Sequence, residues 1–598
     1  MALFFKFVFW IELVLFLGSY LLIGGEVVYR AIRNIKRGQV FDENFLMFLA
    51  TVGAFAIQEF SEAVAVMFFY QIGEFFQDMA VNHSRKSINA LMDIRPDYAN
   101  LKEGEFTRRV SPEEVQEGQV ILIKPGEKVP LDGTVITGRS VLDTSALTGE
   151  FLPKEVDAGS DILAGFINKT GLLTVQVTRK YKQSAVSRIL DRVENAAALK
   201  APTENFITWF SRYYTPGVVA GAALLAFLPP FFISGAGFSE WINRALVFLV
   251  ISCPCSLVIS IPLSFFGGIG GASKKGILIK GSNFLEALYQ VQTMVFDKTG
   301  TLTEGVFEVI EVRSFAEESK ETVLEYASMA ESYSSHPIAV SILKSYGRQP
   351  DQSNISDYRE IPGNGIKAMI KGKEIWAGNA RMMNEERIAI PESQETGTVV
   401  YIAADKKAIG LIRISDRIRK DAPQALRELR AAGVEKLVML TGDKKAVGEE
   451  IGKELGFDQI YAELLPDQKV RILEELEKKQ APGTKLAFVG DGINDAAVLA
   501  RADVGIAMGG LGSDAAIEAA DIVLMTDEPS KILCAVKIAK RTRTIVWQNI
   551  IFALGIKAVV LILGAIGIAT MWEAVFADVG VALLAILNAM RVYKNFNF

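Results

Sequence analysis

The chain has 598 residues, of which 50% are apolar and 22% are charged. It is long enough for several domains and too highly charged to lie entirely within a membrane. The net charge of −5 gives no indication of nucleic-acid binding, and the three cysteines, two of them inside an apolar run, do not suggest a disulfide framework. Long apolar runs stand apart from stretches rich in lysine and glutamate, which predicts a membrane part with soluble insertions.

About seven apolar segments are candidate membrane spans, and they cover residues 7–29, 44–61, 62–82, 212–234, 242–265, 546–568 and 573–591. The first is interpreted as a membrane anchor and not as a removed signal peptide. Its pair of glycines, Gly24 and Gly25, predicts a kink in the helix, after which the basic segment up to Arg37 would lie along the membrane surface. A straight helix with a basic flank is the alternative.

The orientation follows from the basic residues that flank these spans, which cluster at 30–37, 85–86, 274–275 and 591–594. The positive-inside rule places such clusters in the cytoplasm. This requires an odd number of spans with the N-terminus outside, and it puts the two large insertions, 83–211 and 266–545, in the cytoplasm.

The two insertions differ in their apolar patterns. The first contains short strands such as 120–123 and 173–177, separated by Gly and Pro turns, and is predicted to be mainly β. The second alternates strands with amphipathic helices, an α/β pattern. Its apolar runs 437–440 and 486–489 are predicted to be buried parallel strands, and each ends in a Gly-Asp turn, where open α/β sheets bind ligands.

A carboxylate follows a third apolar run in the string Val295-Phe296-Asp297-Lys298-Thr299-Gly300-Thr301-Leu302-Thr303. A carboxylate before a turn rich in backbone donors and hydroxyls can act as a covalent nucleophile toward a phosphoryl group. The turns Thr441-Gly442-Asp443 and Gly490-Asp491-Gly492-Ile493-Asn494-Asp495 add glycines for close approach and hard oxygen ligands for Mg²⁺. Lys469 could neutralise the phosphoryl charge. Each element alone could be an ordinary polar turn, but together they indicate phosphoryl transfer.

The string from Asp297 to Thr303 resembles the phosphorylation signature of P-type ATPases, whose phosphorylation domain has a haloacid-dehalogenase-like core. The resemblance implies that Asp297 accepts the γ-phosphoryl group of ATP. It also implies roles for the surrounding residues: Mg²⁺ held by Asp297, Asp491, Asp495 and the Thr299 carbonyl, and a phosphoryl pocket of Thr299, Thr441, Gly442, Asp443, Lys469 and Asn494.

Two further motifs fit the same resemblance. Thr148-Gly149-Glu150, alone a common turn, matches the actuator loop in which Glu150 would position the hydrolytic water as a general base. Ser335-His336-Pro337 contains one of only two histidines in the chain and resembles the nucleotide site of the heavy-metal branch. There His336 would orient the adenine, although a lone histidine is more often structural. Glu331, Gly363 and Gly365 match the same nucleotide site.

The transport signal is Cys253-Pro254-Cys255 in an apolar run. The proline frees backbone groups inside the bilayer, and two thiolates there can bind a soft or borderline cation. Lys557 and Asp578 are intramembrane charges, which are costly and usually functional, unless both reach the membrane surface from the span ends.

The resemblance then distinguishes between metals. The zinc, cadmium and lead pumps carry a lysine and an aspartate at the places of Lys557 and Asp578, and a carboxylate beside two sulfurs suits Zn²⁺. Lys557 would be an internal counter-charge that helps expel the ion. Glu62 resembles an acidic residue near the exit path of the same branch, although a solvated loop carboxylate is the alternative.

The predicted fold is a multi-domain membrane protein: an α-helical transmembrane bundle with a cytoplasmic β-rich actuator domain and an α/β haloacid-dehalogenase-like phosphorylation domain that carries an inserted nucleotide-binding domain. The predicted boundaries are 1–82 for the first three membrane helices with an amphipathic platform, 83–211 for the actuator domain, 212–265 for two membrane helices, 266–304 and 409–545 for the phosphorylation domain, 305–408 for the nucleotide-binding domain, and 546–598 for the last two helices.

Two features of the heavy-metal branch are missing: its usual eighth span and an N-terminal Cys-x-x-Cys domain. Either the chain is truncated or the pump manages without them. The sequence predicts ATP-driven export of Zn²⁺, and also of Cd²⁺ and Pb²⁺, across an inner or plasma membrane, with Mg²⁺ and ATP as cofactors and with a cytosolic metal carrier left open as a partner. The alternatives are a Cu⁺-exporting pump and a membrane phosphatase or metal sensor that does not transport.

Overall fold

The structure is a computed structural model of the chain. It describes residues 9–594 apart from 38–42, 90–95, 105, 145–153, 185, 188–198, 234–236, 253–254, 316–317, 335, 362–363, 392–397, 492–494 and 510–517. The chain divides into two compact units. The first comprises Met1–Tyr289 and Cys534–Phe598, and the second comprises Gln290–Leu533.

Long apolar helices make up most of the first unit. They are Phe9–Lys36, Glu43–Ala56, Phe60–Asn89, Pro202–Phe227, Pro229–Phe232, Phe238–Ile251, Cys255–Ser273, Ser282–Tyr289, Ser530–Ile566 and Met571–Lys594, of which Ser530–Ile566 begins in the second unit. A continuous apolar core formed by several of these helices includes Met67, Leu246 and Val575. The first helix runs through Gly24 and Gly25 without interruption, and a kink of this continuous helix at the glycine pair stays a prediction.

Five helices, among the residues that the structure describes, are long and apolar enough to cross a membrane. They are Phe9–Lys36, Tyr213–Phe232, Phe238–Ser273, Ser530–Ile566 and Glu573–Val592. The predicted spans 44–61 and 62–82 correspond to the shorter apolar helix Asn44–Ala56 and to Phe60–Asn89, which carries three acidic residues, Glu62, Glu74 and Asp78. The count of seven spans therefore stays a prediction.

A β-rich region between the third and fourth helices confirms the predicted character of the first insertion. Its strands are β1 (Ala99–Glu103), β2 (Phe106–Val110), β3 (Val120–Ile123), β4 (Gly133–Thr137), β5 (Ser140–Asp143), β6 (Lys154–Val156), β7 (Asp161–Ile162), β8 (Ile167–Asn168) and β9 (Leu173–Val177). A six-stranded sheet has the order β2-β1-β3-β9-β4-β7, and a three-stranded sheet has the order β6-β5-β8. The first unit contains one further described strand, β10 (Ile277–Ile279), shortly before Tyr289 in the chain.

The second unit contains two sheets. The strands β11 (Val291–Asp297), β18 (Lys436–Leu440), β19 (Gln459–Tyr461), β20 (Lys485–Gly490), β21 (Val504–Ala507) and β22 (Ile522–Leu524) follow the order β22-β21-β20-β11-β18-β19. All of these neighbours pair in parallel. Helices lie between the strands, at Ala422–Ala431, Lys445–Leu455, Pro466–Lys478 and Ala496–Arg501. This is the predicted α/β pattern, in which crossover helices connect parallel strands.

The other sheet of the second unit is antiparallel and lies in the chain between β11 and β18. Its strands are β12 (Thr303–Ser314), β13 (Ile355–Ile361), β14 (Gly365–Ile370), β15 (Lys373–Gly378), β16 (Thr398–Ala404) and β17 (Lys407–Ile418), in the order β12-β17-β16-β15-β14-β13. The helices Lys320–Ala330, Pro337–Tyr346 and Ala380–Glu385 belong to the same segment. This sheet has its own apolar core, which includes Val323, Ile342 and Ile402.

Candidate functional site

Asp297 is the last residue of the central parallel strand β11. In the register of the sheet it lies opposite Leu440 of β18, and its neighbour Phe296 lies opposite Val489 of β20. The carboxyl ends of all three strands therefore meet at one edge, as expected for parallel strands in an open α/β sheet. The turns after β18 and β20 bring Thr441 and Asp491 to this edge.

Lys469 joins two carboxylates at the edge of the sheet. Its Nζ lies 2.6 Å from Asp297 Oδ1 and 2.8 Å from Asp495 Oδ1. All three residues are buried, with Asp495 only 1% exposed. Burial raises the pKa of Asp297, as does the charge of Asp495, whereas Lys469 lowers it. Burial would lower the pKa of Lys469, but the two carboxylates outweigh it and raise the pKa, so the ammonium stays charged.

The Lys298–Leu302 turn brings its backbone close to a third carboxylate. Gly300 has φ +73°, a conformation that glycine adopts readily, and a Cβ on it would lie 2.2 Å from Asp491 Oδ2. Arg419 Nη2 donates to the Gly300 carbonyl at 3.0 Å. A side chain at position 300 would therefore collide with Asp491, and glycine avoids this collision.

Three of the predicted phosphoryl-binding residues, Thr299, Gly442 and Asp443, line a cavity of about 690 Å³, which we call the phosphoryl cavity. Lys298, Thr299, Gly442 and Asp443 lie on its wall, and Lys298 forms an ion pair with Asp443. The buried Thr441 hydroxyl accepts a hydrogen bond from the Asp443 N–H at 3.1 Å. These contacts hold the Gly-Asp turn in place against the turn after Asp297.

Three of the four residues predicted for the nucleotide line a second cavity of about 270 Å³, the nucleotide cavity: Glu331, His336 and Gly365. His336 caps the helix Pro337–Tyr346, because its Nδ1 accepts a hydrogen bond from the Ile338 N–H at 3.2 Å. In the neutral ring this leaves the proton on Nε2, as a donor. Burial, followed by the charge of Glu360, raises the pKa of Glu331 to about 7.

The two cavities share the wall residues Asn379, Thr398 and Val399. The sequence reasoning did not single out any of these three, and none belongs to a recognisable motif. It also missed Arg419, although the charged string from Asp416 to Lys420 directly after an apolar strand was a usable signal.

The two predicted intramembrane charges form a buried ion pair in the first unit. Lys557 Nζ contacts Asp578 Oδ1 and also donates to the Ile251 carbonyl at 3.2 Å. Lys557 is 5% exposed. Ile251 ends the helix Phe238–Ile251, just before Cys253 in the chain. The pair thus lies against the C-terminal end of the helix that leads into the Cys-Pro-Cys motif.

Several predicted site residues lie outside the described residues: Glu150, Cys253, Gly363 and Asn494. Cys255 begins the helix Cys255–Ser273, but its side chain is likewise not described. Glu62 lies in the first turn of Phe60–Asn89, and its Oε2 is buried without a hydrogen-bond partner in the described part of the chain. Asp495, predicted as a magnesium ligand, forms an ion pair with Lys469, and its role toward Mg²⁺ stays a prediction.

Comparison with known proteins places this geometry in a family. Residues 291–503 match the haloacid dehalogenase-like hydrolases, and residues 93–194 match the P-type ATPase actuator domain. A cadmium, zinc and cobalt-transporting ATPase of Bacillus subtilis is 60% identical over 98% of this chain and 83% of its own length. The chain belongs to the heavy-metal P-type ATPases.

Other relatives of this P-type ATPase agree. A zinc-transporting ATPase of Synechocystis is 56% identical over 98% of this chain and 81% of its own length. The crystal structure of a zinc-transporting PIB-type ATPase in an E2.Pi state matches with a TM-score of 0.62 and 34% identity, over 98% of this chain and 96% of that chain. The predicted family and the predicted actuator and haloacid-dehalogenase-like domains are therefore confirmed.

The edge of the parallel sheet at Asp297 suits Mg²⁺. Among the described residues no group of three His, Cys, Asp or Glu side chains forms a metal cage. Mg²⁺ usually needs no such cage, because it keeps several waters and takes one or two carboxylates together with substrate phosphates. Asp297, and Asp491 on the other side of Gly300, offer such a pair of carboxylates, and the Thr299 carbonyl belongs to the same turn.

Proposed function

We propose that this P-type ATPase exports Zn²⁺ and Cd²⁺ across a membrane, driven by ATP through transient phosphorylation of Asp297. The observation that carries the proposal is the buried pair of Lys557 and Asp578 against the Ile251 carbonyl, at the entrance to the Cys-Pro-Cys motif. The names of the relatives support divalent cadmium and zinc, and they add cobalt, which the sequence reasoning did not predict. Export of Pb²⁺ stays a prediction.

The phosphoryl transfer follows from the edge of the parallel sheet. An Asp297 oxygen attacks the γ-phosphorus of ATP, the bond to the bridging oxygen breaks, and ADP leaves. Lys469, 2.6 Å from Asp297, neutralises charge on the transferred group, and Asp495 holds Lys469 in position. Bound Mg²⁺ would supply further charge neutralisation between the Asp297 and Asp491 carboxylates. Water positioned by Glu150 then hydrolyses the aspartyl phosphate.

The nucleotide is proposed to occupy both cavities of the second unit. The adenine would lie in the nucleotide cavity near Glu331 and His336, and the phosphates would extend into the phosphoryl cavity toward Thr299. Support comes from the shared wall at Asn379 and from the size of the two cavities, about 270 and 690 Å³. We assign the antiparallel sheet to the inserted nucleotide-binding domain.

The transported ion is proposed to bind the thiolates of Cys253 and Cys255 and the carboxylate of Asp578. Before the ion arrives, Lys557 compensates the charge of Asp578. A divalent cation that takes over the carboxylate releases the lysine, and the lysine can later reclaim the carboxylate and lower the affinity for the ion. Glu62, with a buried oxygen that lacks a partner in the described residues, is proposed to lie along the exit path.

We further propose that the helices form a bundle of about seven spans in a cell membrane, with the actuator, phosphorylation and nucleotide-binding domains in the cytoplasm. The five long apolar helices support a membrane location. The basic clusters that flank the spans support the orientation.

ATP-dependent uptake of metal ions into inside-out vesicles tests the function. Zn²⁺ and Cd²⁺ should accumulate only with ATP, and Asp297→Asn should abolish uptake. A separate series with Co²⁺, Pb²⁺ and Cu⁺ defines the range. Uptake of Cu⁺ without Zn²⁺ would refute the zinc assignment, and ATP hydrolysis without uptake of any ion would favour a phosphatase or sensor.

A further inference from the structure

Four chain connections link the cytoplasmic parts to the membrane helices, and the first of them leads from the helix Phe60–Asn89 into the β-rich region. The other three come together at one junction. The segment after the actuator match enters the helix Pro202–Phe227. The first unit passes into the second after Tyr289, at the end of the helix Ser282–Tyr289, and the chain returns at Cys534, within the helix Ser530–Ile566. Any effect of Asp297 phosphorylation on the metal site that travels along the chain must pass through these connections.

Glu286 joins the last three of these connections. Its carboxylate accepts hydrogen bonds from the Thr203 N–H at 3.0 Å and from the Thr203 hydroxyl at 2.5 Å. Its Oε1 also forms an ion pair with Arg543 Nη1 at 2.7 Å. Glu286 is only 5% exposed. Glu286, on the connection from the first unit to the second, thus contacts both the start of the helix Pro202–Phe227 and the helix Ser530–Ile566.

A second buried carboxylate reinforces the same junction. Glu204 accepts from the Ser282 hydroxyl at 2.9 Å and from the Ala201 N–H at 3.0 Å. The Ser282 hydroxyl also accepts from the Ala201 N–H at 2.9 Å and lies 2.9 Å from the Leu199 carbonyl. The connection from the actuator is therefore fastened to the first turn of the helix Ser282–Tyr289.

Arg543 is held on two sides. Besides Glu286, its guanidinium lies over the Tyr289 ring, 4.8 Å from the centroid, and near the Trp547 ring at 5.8 Å. Tyr289 is the last residue before the second unit. A planar guanidinium that forms both an ion pair and a ring contact is poorly replaced by lysine. Through these contacts Arg543 fixes the direction of the helix Ser530–Ile566 relative to the helix Ser282–Tyr289.

We propose that Glu286 and Arg543 are positioning residues that transmit the phosphorylation state of Asp297 to the metal site. The network of Glu286, Arg543 and Thr203 makes the three connections move together, so that a displacement of one is passed to the others. This inference rests on the proposed metal-pump function. A network that merely stabilised helix ends would affect stability without changing how the two sites communicate.

Thermodynamic linkage supplies the test, because coupling between two sites is reciprocal and typically changes an affinity about 5- to 150-fold. The full chain is reconstituted in lipid nanodiscs, and its Zn²⁺ affinity is measured by competition with a chromogenic chelator. The measurement is made with and without beryllium fluoride and Mg²⁺, a mimic of the phosphorylated aspartate. The ratio of the two affinities is the coupling factor.

Glu286→Gln keeps the shape of the side chain and removes its charge. We expect its coupling factor to fall to within about threefold of one, while ATP affinity stays at the wild-type value. Arg543→Lys should fall in between. Thr203→Val keeps a β-branched side chain and removes only the hydroxyl donor, so it tests the network if Glu286→Gln does not fold. The matched control is Glu240→Gln, which removes an exposed partner of Arg244 in the same unit and should keep the wild-type factor.

The outcomes separate the two hypotheses. A wild-type coupling factor of one would overturn the proposed pump itself. A large wild-type factor that is unchanged in folded Glu286→Gln, or in Thr203→Val where Glu286→Gln fails to fold, would overturn the inference and leave the pump intact. An equal loss of coupling in Glu240→Gln would also overturn it, because the effect would then not be specific to the junction.

Discussion

Removing either member of the Lys557–Asp578 pair should destabilise the first unit strongly. The two side chains are only 6% and 15% exposed, so each substitution leaves the other charge largely removed from solvent and without its oppositely charged partner. Breaking a buried pair in this way costs about 3–5 kcal/mol. Asp578→Asn strands the more deeply buried lysine and belongs at the upper end. Lys557→Met strands the partly exposed carboxylate and belongs at the lower end.

The double variant Lys557→Met/Asp578→Asn removes both charges. Since no buried charge then remains, its cost should fall below the sum of the single costs by at least about 2 kcal/mol, as for residues in direct contact. The free energy of unfolding is measured without metal in mixed micelles by denaturant titration. The matched control is a cycle on Arg139 and Glu155, an exposed pair of the same unit whose coupling should stay below about 1 kcal/mol.

Additive effects would refute the reasoning. If the double variant cost the sum of the two single variants within about 0.5 kcal/mol, the two charges would not be coupled in the metal-free protein. The role of Lys557 as a counter-charge for Asp578 would then fail as well. A metal-free state in which Lys557→Met is as stable as the wild type would be equally damaging.

The nucleotide and phosphorylation sites give three more predictions. The pKa of Glu331 is raised from 4.5 to about 7, so its contribution to the free energy of unfolding is full below pH 4.5 and is lost as the pH rises through 7. Glu331→Gln should remove up to about 3 kcal/mol of this pH dependence, measured by thermal unfolding. A pH profile of stability that the substitution leaves unchanged would contradict this prediction. Lys469→Met should lower phosphate incorporation from labelled ATP at Asp297 by about 10²–10³-fold, and a loss below tenfold would argue against its electrostatic role. Gly365→Ala should weaken ATP binding in calorimetry, because a Cβ would lie 2.2 Å from a backbone carbonyl; Gly372→Ala, with positive φ but open space, is the control for backbone strain alone, and equal effects would refute the steric argument.

Short contiguous motifs were sufficient to predict which turns meet at the edge of the parallel sheet around Asp297. The residues from Asp297 to Thr303 are contiguous, and the Gly-Asp turns follow apolar runs whose strand character is visible in the sequence. Parallel strands align their carboxyl ends, so three such turns are expected to meet. The contact between Asp495 and Lys469 was not predictable in this way, because Lys469 is brought to the edge by the packing of the helix Pro466–Lys478.

The helix Phe9–Lys36 is continuous through Gly24 and Gly25. Glycine makes a helix easier to bend, but the helix Phe9–Lys36 packs against neighbours along its length, with Tyr20 and Val27 in the apolar core. Tertiary packing of this kind overrides a weak local preference. The wall that the two cavities share at Asn379 and Thr398 was not predicted, because it is formed by separate segments of one sheet and has no contiguous motif.

The sequence by itself determined the family. It also singled out Asp297 as the predicted phosphorylation site and the residues predicted to take the metal, because each is a short motif or a charge that is costly in its surroundings. Only the tertiary structure decided which charges meet. Glu286 and Arg543 are 257 residues apart in the chain, and nothing in the sequence around either one indicates the other. Their contact arises because the start of Pro202–Phe227, the short helix Ser282–Tyr289 and the helix Ser530–Ile566 come together at one point. A buried carboxylate at such a point must find its partners among the residues that the fold brings there.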